Sequence, residues 1–368
     1  MNIRNITAAF LGLLLAACTT TTTPTFKVTV NMDHADGAKV YLQKAVGQEV
    51  QMLDSVQISE GMAVFNTPVT ADNDMYSILM ENWRRPVSFF TDNKDVTVTG
   101  DSEQPYNLVI AASETQTRLE AFKQGYLNFD KQLDSLGTLS ETARTSGDTA
   151  LLAQLKIQCA DKEVEQKMYC FNYVWDNKSN VVAHYVLYNY KWAFTTCELH
   201  NMIDNLDTLL TSSNLERAKA YVAKLDRVET GQPLIDFTQN DTAGNPVTLS
   251  QLAANTKLLL VDFWASWCPD CRKENPNVVT VYNRFHEQGF DVLGVSYDKQ
   301  REAWLEAIKT DGLTWTHVSD LQGWSNATAE KYAIAFIPQN VLLKDGMIVG
   351  RNLNGDELMQ EVERLLNN

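Results

Sequence analysis

A chain of 368 residues exceeds what one ordinary hydrophobic core serves, so two or three domains are expected. With 44% hydrophobic and 21% charged residues it reads as globular, which excludes wholesale disorder. Its 31 basic against 46 acidic side chains give a net charge of −15 without any basic cluster, an argument against nucleic acid and against adhesion to anionic lipid.

Arg4 precedes an apolar run from Ile6 to Ala17, and Cys18 follows. That run is too short to span a bilayer but has the length of a signal-peptide core. Leu15-Ala16-Ala17-Cys18 resembles a bacterial lipobox; the alternative is an ordinary secretion signal that ends near a thiol. The resemblance implies a signal peptide over 1–17, cleavage before a lipidated Cys18, and a Thr-rich tether over 18–25. The mature protein would then be lipid-anchored on the periplasmic side of a bacterial membrane, inner or outer, in an oxidising compartment.

Residues 26–110 carry period-two patterning: Phe26–Met32, Val56–Ile58, Ala63–Phe65 and Val96–Val98 alternate between turn signals. A small all-β sandwich or barrel-like domain is expected, with His34 alone in a turn and nothing catalytic in it. From 111 to 230 the spacing becomes helical. Ser113-Glu114-Thr115-Gln116 resembles a capping box, and Leu119, Phe122, Tyr126, Phe129 and Leu133 recur at threes and fours. A second helix follows to about Trp175. The aromatic stretch from Tyr185 to Phe194 reads as interhelical packing in preference to a docking surface. Cys159 and Cys170 are separated by about 16 Å along one helix and cannot bridge. Together with Cys197 they are expected to be buried, inert thiols.

Residues 231–368 alternate strand and helix. Leu234–Thr238 and Pro246–Leu249 read as short strands, Leu258–Trp264 and Phe290–Ser296 as buried ones, and Val341–Leu343 with Met347–Val349 as a hairpin. Helices are expected over 250–252, after Cys268, over 303–308 and 329–332, and over 356–366. Between the first buried strand and its helix lies Trp267-Cys268-Pro269-Asp270-Cys271. Pro269 suits the first helical position. Cys268 would then meet the free N–H groups and dipole of the helix start, which favour a thiolate. Two other readings compete. One is half of a zinc site, for which the downstream histidines His286 and His317 are badly placed; the other is a purely structural disulfide.

Val261-Asp262-Phe263-Trp264-Ala265-Ser266-Trp267-Cys268-Pro269-Asp270-Cys271 resembles the active-site strand of the thioredoxin superfamily. Arg272–Pro276 and Ile337-Pro338 narrow the resemblance to TlpA/ResA-like thiol–disulfide oxidoreductases, over roughly 231–368. It implies an α/β thioredoxin-like domain with a mixed sheet and helices on both faces. Cys268 would attack and Cys271 resolve, the two forming a redox-active disulfide. Pro338 would be the cis-proline, and Ile337 would offer its backbone to a substrate strand beside the apolar rim at Trp267. Pro276 matches the proline that kinks the active-site helix. Asp262 matches the buried acid of thioredoxin, and Glu274 the acid that ResA-like proteins hold near their thiols. Either could take the proton from Cys271. Asp270 between the thiols leans towards a reductant, and Gln339 stands where Thr is usual.

The expected function is a membrane-tethered oxidoreductase that reduces or isomerises client disulfides, with no cofactor or metal. Its partners would be disulfide-bearing clients and a membrane electron donor. A peroxiredoxin-like thiol peroxidase is one alternative, weakened by Ala265 where peroxiredoxins carry Thr. A non-enzymatic binding lipoprotein is the other.

Overall fold

The computed structural model describes residues 24–71, 73–105 and 107–367. The expected signal peptide and lipidated Cys18 lie outside them. Among the described residues no helix is long and apolar enough to cross a membrane. The chain forms two compact units that divide between Ala121 and Phe122.

The first unit holds β1 (Thr25–Asp33), β2 (Lys39–Val46), β3 (Glu49–Gln57), β4 (Met62–Pro68), β5 (Tyr76–Met80), β6 (Val87–Phe89), β7 (Val96–Asp101) and β8 (Val109–Ala111). They make two four-stranded sheets, β4-β1-β7-β8 and β3-β2-β5-β6. Alternation drives the packing: Phe26, Val28, Val30 and Met32 of β1 are buried and join Val40, Leu42, Phe65, Ile78, Phe89 and Val98 in one core. This is the expected all-β region, but β1 starts at Thr25, inside the expected tether. His34 is not alone. Its Nδ1 lies 3.2 Å from Asp101 Oδ2, with Glu103 close by, on an exposed turn.

The helix α1 (Glu114–Ser146) opens on half of the expected capping box. Ser113 Oγ accepts the Gln116 N–H at 3.1 Å, but the Gln116 side chain accepts from Phe90 N–H at 2.9 Å instead of turning back to Ser113. Next come α2 (Thr149–Asp176), α3 (Val181–Asn189), α4 (Thr196–Asn205) and α5 (Ser213–Leu225). Tyr190 packs its ring 5.5 Å from Phe122 and 4.5 Å from Tyr126, and Val182, Val186 and Leu187 are fully buried. The aromatic stretch therefore packs between helices, although Trp192 is exposed. The thiols depart from expectation. All three are free, but only Cys170 is buried; Cys159 is half-buried and Cys197 exposed. A helix face is a continuous surface, and spacing alone does not say how much of it a neighbour covers.

The remaining elements are β9 (Thr238–Asp241), β10 (Pro246–Thr248), α6 (Leu249–Ala254), β11 (Leu258–Trp264), α7 (Pro269–Phe285), β12 (Phe290–Ser296), α8 (Arg301–Thr310), β13 (Thr316–Ser319), α9 (Ala327–Lys331), β14 (Gln339–Lys344), β15 (Met347–Arg351) and α10 (Gly355–Leu366). The seven strands form one mixed sheet in the order β10-β9-β13-β12-β11-β14-β15. β11 is central, parallel to β12 and antiparallel to β14, and every residue in it is buried. Residues 234–237 are not a strand, contrary to expectation. The linker pairs elsewhere: Gly231 and Leu234 donate to Ile348 and Gly346 of β15 at 2.8 and 2.9 Å, and Ile348 N–H donates to Gln232 at 2.8 Å. The fold is the expected thioredoxin-like domain, and it places the carboxyl ends of β11 and β12 side by side.

Candidate active site

The site grows out of the C-terminal end of β11. Seven apolar or shielded residues hold that strand between its neighbours, and the chain then turns through Ala265, Ser266 and Trp267 into α7. Cys268 is the N-cap of that helix and Pro269 follows at its start. The Cys268 Sγ accepts the Cys271 N–H at 3.1 Å, so a helix-end donor points at the first sulfur. The two cysteines are joined in a disulfide. Cys268 is 4% exposed and Cys271 1%, which leaves Cys268 the more open of the two. On the other side, Cys268 Sγ lies 3.6 Å from the Ile337 carbonyl, and the Ile337-Pro338 bond is cis. The sequence-expected Trp267, Cys268, Cys271, Ile337 and Pro338 thus come together.

Asp262 lies within β11, opposite Gly294 and Asn340, and is 6% exposed. Burial, and after it the charge of Glu274, push its carboxyl up to about 7. Glu274 is half-buried, one helical turn beyond Cys271. Its Oε1 accepts the Gly355 N–H at 2.7 Å and its Oε2 accepts from Asn277 Nδ2 at 3.0 Å. It is therefore not a freely solvated helix-surface acid. Asp270 is exposed. Gln339 is 4% exposed and braces the loop before it, accepting from Ala335 N–H at 3.0 Å and donating to Asn352 at 3.1 Å.

Two acids that the sequence reading passed over hold the turn in place. Asp298, 1% exposed, accepts Ser266 N–H at 3.0 Å and Ser266 Oγ at 2.5 Å, and also takes Ser296 Oγ at 2.8 Å. Asp311 forms a two-point ion pair with Arg272 and accepts from Asn275 at 2.6 Å. Burial works to raise the Asp311 carboxyl, but hydrogen bonds from Arg272 and Asn275 outweigh it and hold it below the usual carboxylate range. Arg272 in turn donates to the Ser266 carbonyl at 3.3 Å. Trp267, 51% exposed, donates its indole N–H to the Tyr297 carbonyl at 3.2 Å. One signal could have found Asp298: it follows a buried parallel strand at its carboxyl end, where sites in such sheets collect.

Residues 230–353 match the AhpC/TSA family, and residues 26–119 match a domain of unknown function, DUF4369. The thiol-disulfide oxidoreductase ResA of Bacillus cereus is 24% identical over 149 residues, 40% of this chain and 83% of the relative. ResA of Bacillus subtilis is 26% identical over 131 residues, 35% of this chain and 70% of the relative. Among solved structures, the thioredoxin domain of a thiol-disulfide oxidoreductase from Bacteroides vulgatus is 36% identical, covering 38% of this chain and 99% of that one, with a TM-score of 0.36. A thiol-disulfide oxidoreductase from Bacteroides fragilis is 34% identical, covering 36% and 99%, with a TM-score of 0.35. With two sulfurs in a strand–turn–helix junction, the AhpC/TSA match and the ResA relatives, the C-terminal domain is a thioredoxin-like, TlpA/ResA-like protein disulfide oxidoreductase domain.

Proposed function

We propose that the protein is a lipid-anchored, extracytoplasmic reductase or isomerase of client-protein disulfides, working through a Cys268 mixed disulfide. The observation that carries this reading is the asymmetry of the sulfur pair. Cys268 takes a helix-end N–H and lies against the Ile337 carbonyl, whereas Cys271 is closed off one turn into α7. In the reduced protein the Cys268 thiolate attacks a client S–S bond, and the departing client sulfur takes a proton. Cys271, once deprotonated, attacks the mixed disulfide, releases the second client thiol and closes the Cys268–Cys271 bond. Two electrons pass from protein to client, and a membrane electron donor returns them.

Asp262 is the group best suited to take the Cys271 proton. A buried carboxyl at about 7 exchanges protons near neutral pH, and Glu274 sets its poise through charge. Trp267 and Ile337 supply apolar rim and backbone to the client strand. Anchoring through Cys18 rests on the Leu15-Ala16-Ala17-Cys18 pattern. The full chain in detergent should accelerate insulin reduction by dithiothreitol. Inactivity there combined with turnover of hydrogen peroxide would overturn this reading in favour of a thiol peroxidase.

A further inference from the structure

Beside Trp267, on the flank formed by the ends of β12 and β13, lies a groove of about 380 Å³ whose walls include Trp267, Tyr297, Lys299, Ala303 and Trp324. The exchange chemistry uses none of its far wall. Trp267 and Trp324 form its rim, 51% and 49% exposed, with ring centroids 6.2 Å apart. Tyr297 is fully buried, its ring centroid 5.4 Å from Trp324 and its hydroxyl 3.1 Å from Thr328 Oγ1. Two indoles held half in water around a cavity, one of them next in sequence to the attacking sulfur, are the kind of apolar surface that binding sites leave open.

The groove also has a charge. Lys299 is exposed and makes no ion pair or hydrogen bond among the described residues. Its stem lies along Gly323, where an added Cβ would come within 2.8 Å of the lysine Cε and where φ is +60°. The positive φ favours glycine there, and the lysine stem passes beside it to the groove edge. Two acids, Asp298 in the groove wall and Asp320 three residues before Gly323, hold hydrogen-bond donors of their own. Asp298 accepts from Ser266 and Ser296, and Asp320 accepts from the Gln322 and Ala327 amides at 3.0 and 3.3 Å.

We propose that this groove is a client subsite: it takes a large apolar side chain from an extended client segment near the reacting cysteine and sets a neighbouring client carboxylate against Lys299. Trp267 makes the groove continuous with Cys268, and the unpaired ammonium selects an acidic neighbour over a basic one. The inference rests on Cys268 being the attacking thiol. Trp324 and Lys299 are then specificity residues for that reaction.

The test uses the full reduced chain in detergent and four short peptides, each with one cysteine in a mixed disulfide with thionitrobenzoate. Each carries Phe or Ala near the cysteine, followed by Asp or Lys. Attack on the peptide sulfur releases thionitrobenzoate, which absorbs visible light; Cys271 then frees the peptide thiol, so protein dithiol is oxidised as peptide disulfide is reduced. The Phe/Asp peptide should exceed the Ala/Lys peptide in the second-order rate constant of this single turnover by at least about tenfold, the scale set by burying one large apolar side chain. Trp324→Ala should abolish most of the Phe preference, Lys299→Glu should invert the Asp preference, and Lys299→Arg should keep it. Equal rates for all four peptides, or preferences that survive both Trp324→Ala and Lys299→Glu, overturn the subsite. If the reduced protein attacks these peptides and free 5,5′-dithiobis(2-nitrobenzoate) no faster than its Cys268→Ser variant does, the exposed Cys197 accounts for the signal, the redox reading itself fails and this inference falls with it.

Discussion

Glu274 Oε1 accepts the Gly355 N–H at 2.7 Å, so the acid one turn beyond Cys271 also closes the first turn of α10. Its two roles, a cap and a charge beside Asp262, are separable. Glu274→Ala should cost about 1 kcal/mol of stability, the usual worth of such a cap, and Glu274→Gln, which keeps the acceptor oxygen, should cost less. Both should lower the Asp262 carboxyl, because the Glu274 charge is one of the two influences that raise it. Denaturant titration and carboxyl NMR of the two variants read the two effects independently.

The raised Asp262 carboxyl makes stability pH-dependent in the unusual direction for an acid. Between its unfolded value near 3.9 and about 7 the folded state binds more protons than the unfolded one. Stability therefore falls as pH rises through that window. Asp262→Asn should raise the melting temperature at pH 8 and leave it nearly unchanged at pH 4, in the oxidised protein. It should also slow the release of mixed disulfides, measured as quenched intermediates. An equal gain at both pH values would mean that the group is not titrating.

His317 works in the opposite sense. Burial lowers it to about 3, and its ring lies between Trp264 and Trp315 with centroids 5.6 and 5.7 Å away. The unfolded state takes up a proton below about 6.5 that the folded state refuses, so stability drops as the solution is acidified from there. His317→Phe should flatten this acid limb. The same ring explains Gly294: an added Cβ would sit 2.3 Å from His317 Nδ1 and 3.1 Å from Trp264 Nε1. Gly294→Ala should cost about 1–3 kcal/mol by overpacking, read by chemical denaturation.

The sulfur assignments predict different behaviour in cells. Cys271→Ser should accumulate client mixed disulfides and Cys268→Ser should not. Equal trapping by the two variants would reverse the roles proposed for them.

The three free thiols among the described residues differ in exposure. A maleimide should modify Cys197 rapidly in the native protein and Cys159 more slowly. Cys170, 1% exposed and with its thiol pushed up to about 12 by burial and then by Asp130, should react only on unfolding. Mass spectrometry of timed samples distinguishes them.

The catalytic strand was legible because β11 is apolar from end to end and is followed at once by Cys268, Pro269 and Cys271. The β14–β15 hairpin was legible from Asp345-Gly346. Less was visible where a polar side chain takes a buried place. In β2 the alternation Val40, Leu42, Lys44 ends on a lysine that is 5% exposed, bonded to Thr70 at 3.0 Å and lying 5.2 Å from the centroid of the Tyr76 ring. In β13 the buried positions are His317 and Ser319 with a single valine, so nothing marks a strand. Asp298 and Asp311 act on Ser266 and Arg272 from 32 and 39 residues away, and only the folded sheet brings them there. Glu274 was identified as a candidate acid, but its partner at Gly355 is 81 residues distant and left no trace in local pattern.

The pairing of Gly231, Gln232 and Leu234 along β15 means that the outermost ribbon of the seven-stranded sheet arrives already occupied by the protein's own chain. A bare strand there would offer a row of hungry amides and carbonyls to any neighbour. The short join between helices and sheet thus doubles as a hem, and a version trimmed to begin after Leu234 should clump where the longer protein stays dispersed.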